Sequence, residues 1–321
     1  MSIPATPFYP MTHDDALALI TALQALQPGL VTTSQSGLLA PDASIENGFV
    51  KLATNANKGL MSAAFAALLE APEALVFTKG KSLTQNAGFH NSVYRGKYLG
   101  TGVTAEQYAA ISAGTFDDLF IGDYWTINSV NWRIAAFDYW LHCGDTECTT
   151  HHVVIVPDSN LATGPMNSTH ITTGGYVGCD FYTAANSNGH KATCVSAINS
   201  AFGSAHILGH RQLFSNATAD GKASGWAWYD STVDLMNESM VYGSPVSGAQ
   251  KTGDTNFNVG IDKSQLPLFR HDPSRITNRA YWWLRDVVSA AYFARVADYG
   301  FATYNGAGNS LGFRPAFGIK A

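Results

Sequence analysis

The sequence predicts a mixed α+β fold of short antiparallel strands and long loops over roughly residues 90–321, preceded by a smaller helical and stalk-like region. Three observations predict it. Helical periodicity with recognisable starts is confined to short stretches, and from Phe116 onward aromatic and β-branched residues gather in brief runs. Gly, Asn, Ser and Pro punctuate those runs, and no internal repeat points to a solenoid or propeller.

The elements follow in chain order. HDDALALITALQAL (13–26) places Leu19, Ile20, Leu23 and Leu26 at helical spacing, with Thr12 as N-cap and Pro28-Gly29 as the stop. Residues 30–60 are rich in Ser, Thr, Asn, Gly and Ala without periodicity and read as a linker or stalk. Ser62 then caps a helix that Pro72 ends. At Thr104 the run TAEQ is a capping box, in which Gln107 reaches back to the cap amide. DYWTINSVNWRIAAFDYW reads as two strands turning at Asn128-Ser129, and HHVVIVP (151–157) as a third. Helices are expected near 192–202 and near 230–240, the latter capped by Asp230. Closing strands are expected at WWLR (282–285), YFARVAD (292–298), near GFATY, and as one run at GFRPAFGI (312–319). The expected organisation is a helical attachment segment at 1–30, a stalk with a short helix at 31–87, and a domain at 88–321.

Composition narrows the function classes. The chain of 321 residues is 46% hydrophobic but only 13% charged, so it is globular with a surface built from Ser, Thr, Asn, Gln and Gly. A net charge of -5 supplies no basic field, which argues against nucleic acid or an anionic membrane as partner. The first residues, MSIPATPFYPMTHDD, lack a signal-peptide pattern and no apolar run is long enough to span a bilayer, so synthesis in the cytoplasm is expected. Cys143, Cys148, Cys179 and Cys194 are too sparse for a disulfide framework and read as buried or incidental thiols.

Catalytic and metal patterns are weak. His142, Cys143, Cys148, His151 and His152 crowd HCGDTECTTHH, yet the Cys spacing of four and the absence of a second pair speak against zinc and for a polar hairpin loop. His206 and His210 stand four apart without the Glu of a zinc-protease helix and with Gly209 between them, and read as hydrogen-bonded histidines near a turn. Asp230, Asp234 and Glu238 would share one face of the expected helix, where a solvated surface is a better reading than a glycosidase pair. No catalytic residue, metal or cofactor is assigned.

Aromatic recognition remains. Trp, Tyr and Arg give large contact area at low conformational cost, and Asn and Ser give adaptable hydrogen bonds. Tyr292, Arg295, Asp298, Tyr299, Phe301, Tyr304, Asn305 and Asn309 have that character, whereas Trp282, Trp283, Leu284 and GFRPAF look like scaffold. Arg285 and Arg314 are expected to anchor loops through carboxylates or carbonyls.

The run WWLRDVVSAAYFARV, followed by Gly, Tyr and LGFRPAF, resembles the C-terminal module of phage structural proteins and of ligand-binding domains with the C-type lectin fold, including targets of diversity-generating retroelements. FHNSVYRGKYLG, AGTFDDLFIGDYWTI, TTGGYVGCDFYT and AFGSAHILGHR resemble blocks of a phage protein from viruses of intestinal Firmicutes, so the likeness spans roughly 88–321. ATNANKGLMSAAFAALLEA is similar to the DGLMSAADKAKL element of head and tail fibres, with Lys58 and Phe65 departing from it. The resemblance implies a C-type-lectin-like head on a homotrimeric stalk, in a virion protein that is not an enzyme. Its N-terminal region would bind other virion proteins, and its head would bind a host-surface ligand, a glycan first. It also implies that the exposed binding stretch comprises Tyr292, Arg295, Asp298, Tyr299, Phe301, Thr303, Asn305 and Asn309, with Tyr304 beside them. The rival readings are a capsid decoration or baseplate component with no host ligand, and an envelope polysaccharide hydrolase.

Overall fold

The computed structural model describes residues 45–46, 49–50, 86–183, 189–249 and 264–321. The expected helices at 13–26 and after Ser62 lie outside the described residues. The chain divides into two units, 1–84 and 85–321. In the first, β1 (Ile45–Glu46) pairs antiparallel with β2 (Phe49–Val50), within the segment read as a stalk.

The second unit opens with α1 (Ala87–His90) and α2 (Ala105–Ala113). The capping box forms as expected: Thr104 Oγ1 accepts from the Gln107 amide at 3.3 Å and Gln107 Oε1 accepts from the Thr104 amide at 3.0 Å. Next come β3 (Tyr124–Ile127), β4 (Val130–Phe137), β5 (Val153–Pro157) and β6 (Ala162–Gly164). Asn128 and Ser129 both take positive φ, 51° and 63°, the conformation that closes a two-residue hairpin between β3 and β4. Two helices follow, α3 (Asp180–Thr183) and α4 (His190–Phe202), the second where a helix was expected.

The stretch after α4 differs from expectation. β7 (His210–Ala219) and β8 (Lys222–Ser231) form a long hairpin turning at Asp220-Gly221, and β9 (Val233–Leu235) follows at once. Asp230 therefore lies in a strand and caps nothing; the helix is the shorter α5 (Glu238–Tyr242), whose cap is Asn237 accepting from the Met240 amide at 2.8 Å. After α6 (Pro267–His271) come β10 (Trp282–Val287), β11 (Tyr292–Val296), β12 (Ala302–Gly306), β13 (Leu311–Phe313) and β14 (Pro315–Ile319). GFRPAFGI is thus two strands rather than one, broken at Arg314.

Two five-stranded sheets carry the unit, in the orders β12-β11-β10-β13-β6 and β3-β4-β5-β14-β9. Their pairings are antiparallel except for β10 with β13, which meet in parallel at Trp282 and Gly312. The break at Arg314 lets the chain leave the first sheet for the middle of the second. Trp132 meets Phe202 and Phe317 edge-on at 5.4 and 5.7 Å, so α4 seals the second sheet through its last residue. Among the described residues no helix is long and apolar enough to cross a membrane.

Candidate functional site

The scaffold of the predicted binding stretch is β10. Trp282, Trp283 and Leu284 are wholly buried. Arg285 gives Nη1 to Gln212 Oε1 at 2.7 Å and to the Leu235 carbonyl at 3.2 Å. Arg314 sits beside Trp282 and donates to the carbonyls of Pro157 (2.6 Å), Arg275 (2.9 Å) and Ile276 (3.1 Å). Burial lowers its pKa to about 10 without discharging it at neutral pH. Both arginines anchor chain segments through carbonyls, as expected.

β11 and β12 extend this scaffold as a ribbon, with β12 at the sheet's edge. Its connecting turn is fixed from two sides. Thr277 Oγ1 donates to the Asp298 carbonyl and the Tyr242 hydroxyl to the Gly300 carbonyl, while Gly300 itself takes φ 91°, which a side chain would resist. Tyr299 and Phe301 flank that turn at 74% and 57% exposure.

Strand alternation divides the nine predicted residues. Tyr292 opposes Gly306 and Ala294 opposes Tyr304, so the two tyrosines share one face, their rings 5.4 Å apart. Arg295 opposes Thr303 and Phe293 opposes Asn305, which puts Arg295, Thr303 and Asn305 on the other face. Arg295 is occupied there: its guanidinium lies 4.2 Å from the Tyr281 ring and Nε donates to the Tyr304 carbonyl. Asn305 shapes the turn into β13, its Oδ1 accepting from Asn309 Nδ2 at 2.6 Å and from the Gly306 amide at 2.9 Å. The aromatic part of the prediction, Tyr292, Tyr299, Phe301 and Tyr304, remains exposed around one ribbon. Tyr281, half-exposed before β10, stands on the other face beside Arg295, and its place one residue outside WWLR was the signal for it. His170 supports the far turn by accepting from the Gly308 amide at 3.2 Å, a contact that no local pattern announces.

The other clusters are internal. Asp234, read as a solvated helix residue, is buried in β9 and accepts from the Tyr176 hydroxyl, Lys191 Nζ and Ser231 Oγ. Glu238 is also buried, its carboxylate gathering the amides of Val246, Ser247 and Gly248. Asp230 alone of the three is exposed, so no shared face exists. His206 ends a 3-10 turn and His210 opens β7, so they do not form a helical pair. In the HCGDTECTTHH loop, His142 contacts Glu147, His151 contacts Asp138, and buried His152 accepts from the Trp140 amide at 3.1 Å. Among the described residues no group of three or more His, Cys, Asp or Glu is arranged to hold a metal ion.

No family model matches the chain, and neither does any curated protein or solved structure. The geometry alone therefore ranks the surfaces. Two open grooves flank α4, of about 490 and 790 Å³, the first lined by Phe181, Tyr182, Lys191 and Val195 and the second by Asn128, Val130, Trp132 and Ala197. In the first, Lys191 covers the Tyr182 ring at 3.7 Å and is neutralised by Asp234, which leaves it little charge to offer a ligand. The rim of the β11–β12 ribbon presents exposed aromatic rings on a rigid support, and it is the stronger candidate.

Proposed function

We propose that this protein is a phage virion component, a head or tail fibre whose C-terminal domain has the C-type lectin fold and adheres to a ligand on the host surface. The ligand class the rim suits is a glycan: tyrosine and phenylalanine rings stack on the apolar faces of sugar rings, and the tyrosine hydroxyls offer hydrogen bonds at the edges. The N-terminal region would join the protein to other virion proteins and assemble it as a homotrimer. Binding of this kind needs no chemistry. Weak single sites become effective when several heads on one particle raise the local concentration of the second contact.

One observation carries the reading. Of the large hydrophobic side chains left exposed among the described residues, Tyr292, Tyr299, Phe301 and Tyr304 belong to the β11–β12 ribbon and its turn and Tyr281 stands beside Arg295, while Tyr98, Ile171 and Val246 belong to separate segments. Lone exposed apolar residues need no explanation, whereas a concentration of them marks a contact surface. That the scaffold beneath it is the WWLR and GFRPAF framework, the segments on which the lectin-like resemblance rests, further supports the assignment.

The test is adsorption of particles carrying Tyr299→Ala and Tyr304→Ala together. The expected result is loss of attachment to host cells with an unchanged melting temperature for the purified protein. Full adsorption by the folded double variant would remove the rim from host contact and leave a decoration or baseplate role as the better account.

A further inference from the structure

Between β4 and β5 the chain makes an excursion from Asp138 to His152 whose base is laddered. The Asp138 amide donates to the His152 carbonyl at 2.9 Å, and the Trp140 amide to His152 Nε2. Higher up, the His142 amide donates to the Cys148 carbonyl at 2.7 Å and the Cys148 amide to the Cys143 carbonyl at 3.0 Å. Two residues thus face one, the register of a β-bulge, and His142 takes the positive φ of 60° that such a position accepts. Cys143 and Cys148 are set across from each other at the neck of a small loop, Gly144 to Glu147. The amide-to-carbonyl bond from Cys148 to Cys143 holds the two backbones against each other, as a disulfide, which spans Cα atoms about 4.4–6.8 Å apart, requires.

We propose that Cys143 and Cys148 are a disulfide-forming pair that locks the neck of this excursion. Both are free thiols in the structure, Cys143 half-buried and Cys148 nearly buried. Burial, and then the neighbouring Cys148, push the Cys143 thiol upward, and burial raises the Cys148 thiol as well. Cys179 and Cys194 differ: both are fully buried, with pKa values raised to about 12, and neither is placed to react.

The oxidant is a small-molecule disulfide such as oxidised glutathione. The more accessible Cys143 thiolate attacks one glutathione sulfur, forming a mixed disulfide and expelling one glutathione thiolate. The Cys148 thiolate then attacks the Cys143 sulfur, closing the ring and expelling the second. Two protein thiols lose two protons and two electrons, and one disulfide is reduced to two thiols. Closure would also hold Asp145, which lies inside the loop, against its partner Arg211 on β7 (2.7 and 3.0 Å). The excursion would thereby be fastened to the β7–β8 hairpin.

The full-length protein is incubated with oxidised glutathione near pH 8.5, denatured and alkylated. The expected result is two alkylated thiols out of four, an intact mass lower by two hydrogen atoms before alkylation, and fragment spectra joining Cys143 to Cys148. The melting temperature should rise by about 5 °C, reversed by dithiothreitol and absent in Cys143→Ser/Cys148→Ser. Four alkylated thiols, a crosslink mapping elsewhere, or a lasting glutathione adduct on Cys143 would each overturn the proposal, the last by showing that Cys148 cannot reach its partner. Because the mass and the crosslink are read on wild type, failure of the serine variant to fold would not blunt the test.

Discussion

Gln212 donates its Nε2 to Nε2 of His210 across 2.7 Å, and this single bond fixes the protonation state of a buried histidine. The amide orientation is set by Arg285, which donates to Gln212 Oε1 from the other side. His210 must accept at Nε2 and hence carries its proton on Nδ1. A second proton would have to point at an N–H group. Burial, reinforced by His152, lowers the His210 pKa from 6.5 to about 3. Burial lowers those of His90 and His152 as well.

The pH dependence follows with its sign. Each histidine binds protons in the unfolded chain below pH 6.5 but resists them when folded. Stability is therefore complete above that pH and falls as pH drops through the window, for His210 between 6.5 and about 3. Each neutral buried histidine contributes a slope of up to about 1.4 kcal/mol per pH unit. Urea unfolding at pH 7, 6 and 5 should show the decline, and His210→Gln should reduce the slope by about one proton. An unaltered slope in the variant would mean that His210 protonates freely in the folded protein.

Glu238 gives a second prediction. Its buried carboxylate is the common acceptor for three consecutive amides, Val246, Ser247 and Gly248, at 2.8–2.9 Å. Glu238→Gln replaces one acceptor oxygen with an NH₂ group aimed at other donors. The expected cost is about 2–3 kcal/mol, and limited proteolysis should reveal faster cleavage near 244–249. Cleavage at the wild-type rate would show that the loop is held by other contacts.

Gly306 and His170 form a coupled pair. A Cβ on Gly306 would lie 2.4 Å from His170 Nδ1, so Gly306→Ala must displace the ring that accepts from the Gly308 amide. The single substitution should cost about 1–2 kcal/mol. In the double variant with His170→Ala the clash has no object, and the sum of the single effects should exceed the double by about 1 kcal/mol in a denaturation cycle. Strict additivity would show that the ring moves aside freely.

Local chemistry was legible in the sequence and tertiary placement was not. The Thr104 capping box and the Asn128-Ser129 turn were read correctly because each is decided within four residues. The Asp220-Gly221 pair, a comparably strong turn signal, went unread, and with it the β7–β8 hairpin. Asp230 resembled an N-cap only while its strand partner Arg211, far off in sequence, was unknown. Asp234 looked solvent-facing until Tyr176, Lys191 and Ser231 converged on it. For the candidate site, the exposure of Tyr292, Tyr299, Phe301 and Tyr304 accords with the sequence reading. Its division was also within reach, since alternation from Tyr292 separates Arg295 from the tyrosines; the occupation of Arg295 and Asn305 by neighbouring groups was not.

The rim itself separates stability from binding. Tyr299 stands at the ribbon turn largely in solvent, so Tyr299→Ala should change stability by less than about 0.5 kcal/mol. If its ring stacks on a sugar, losing about 1.4 kcal/mol of contact should weaken monovalent binding about tenfold. Binding of the purified protein to isolated host envelopes, compared with Tyr98→Ala as a remote control, provides the measurement. Equal weakening by both variants would place the contact elsewhere.

Arg314 tests what holds the two sheets together. It is 1% exposed at the point where β13 becomes β14, and it satisfies three carbonyls, one at the end of β5 and two beside β10's approach. Arg314→Met keeps most of the volume beside Trp282 but strips all three carbonyls of their donor, and should destabilise by about 3 kcal/mol or more. Arg314→Lys restores the charge and a donor group but cannot span Pro157 and Arg275 at once, so it should recover only part of the loss. If charge alone mattered, lysine would match the wild type in urea unfolding. If packing alone mattered, methionine would match it, and the carbonyl clamp would not be what turns the chain from one sheet into the other.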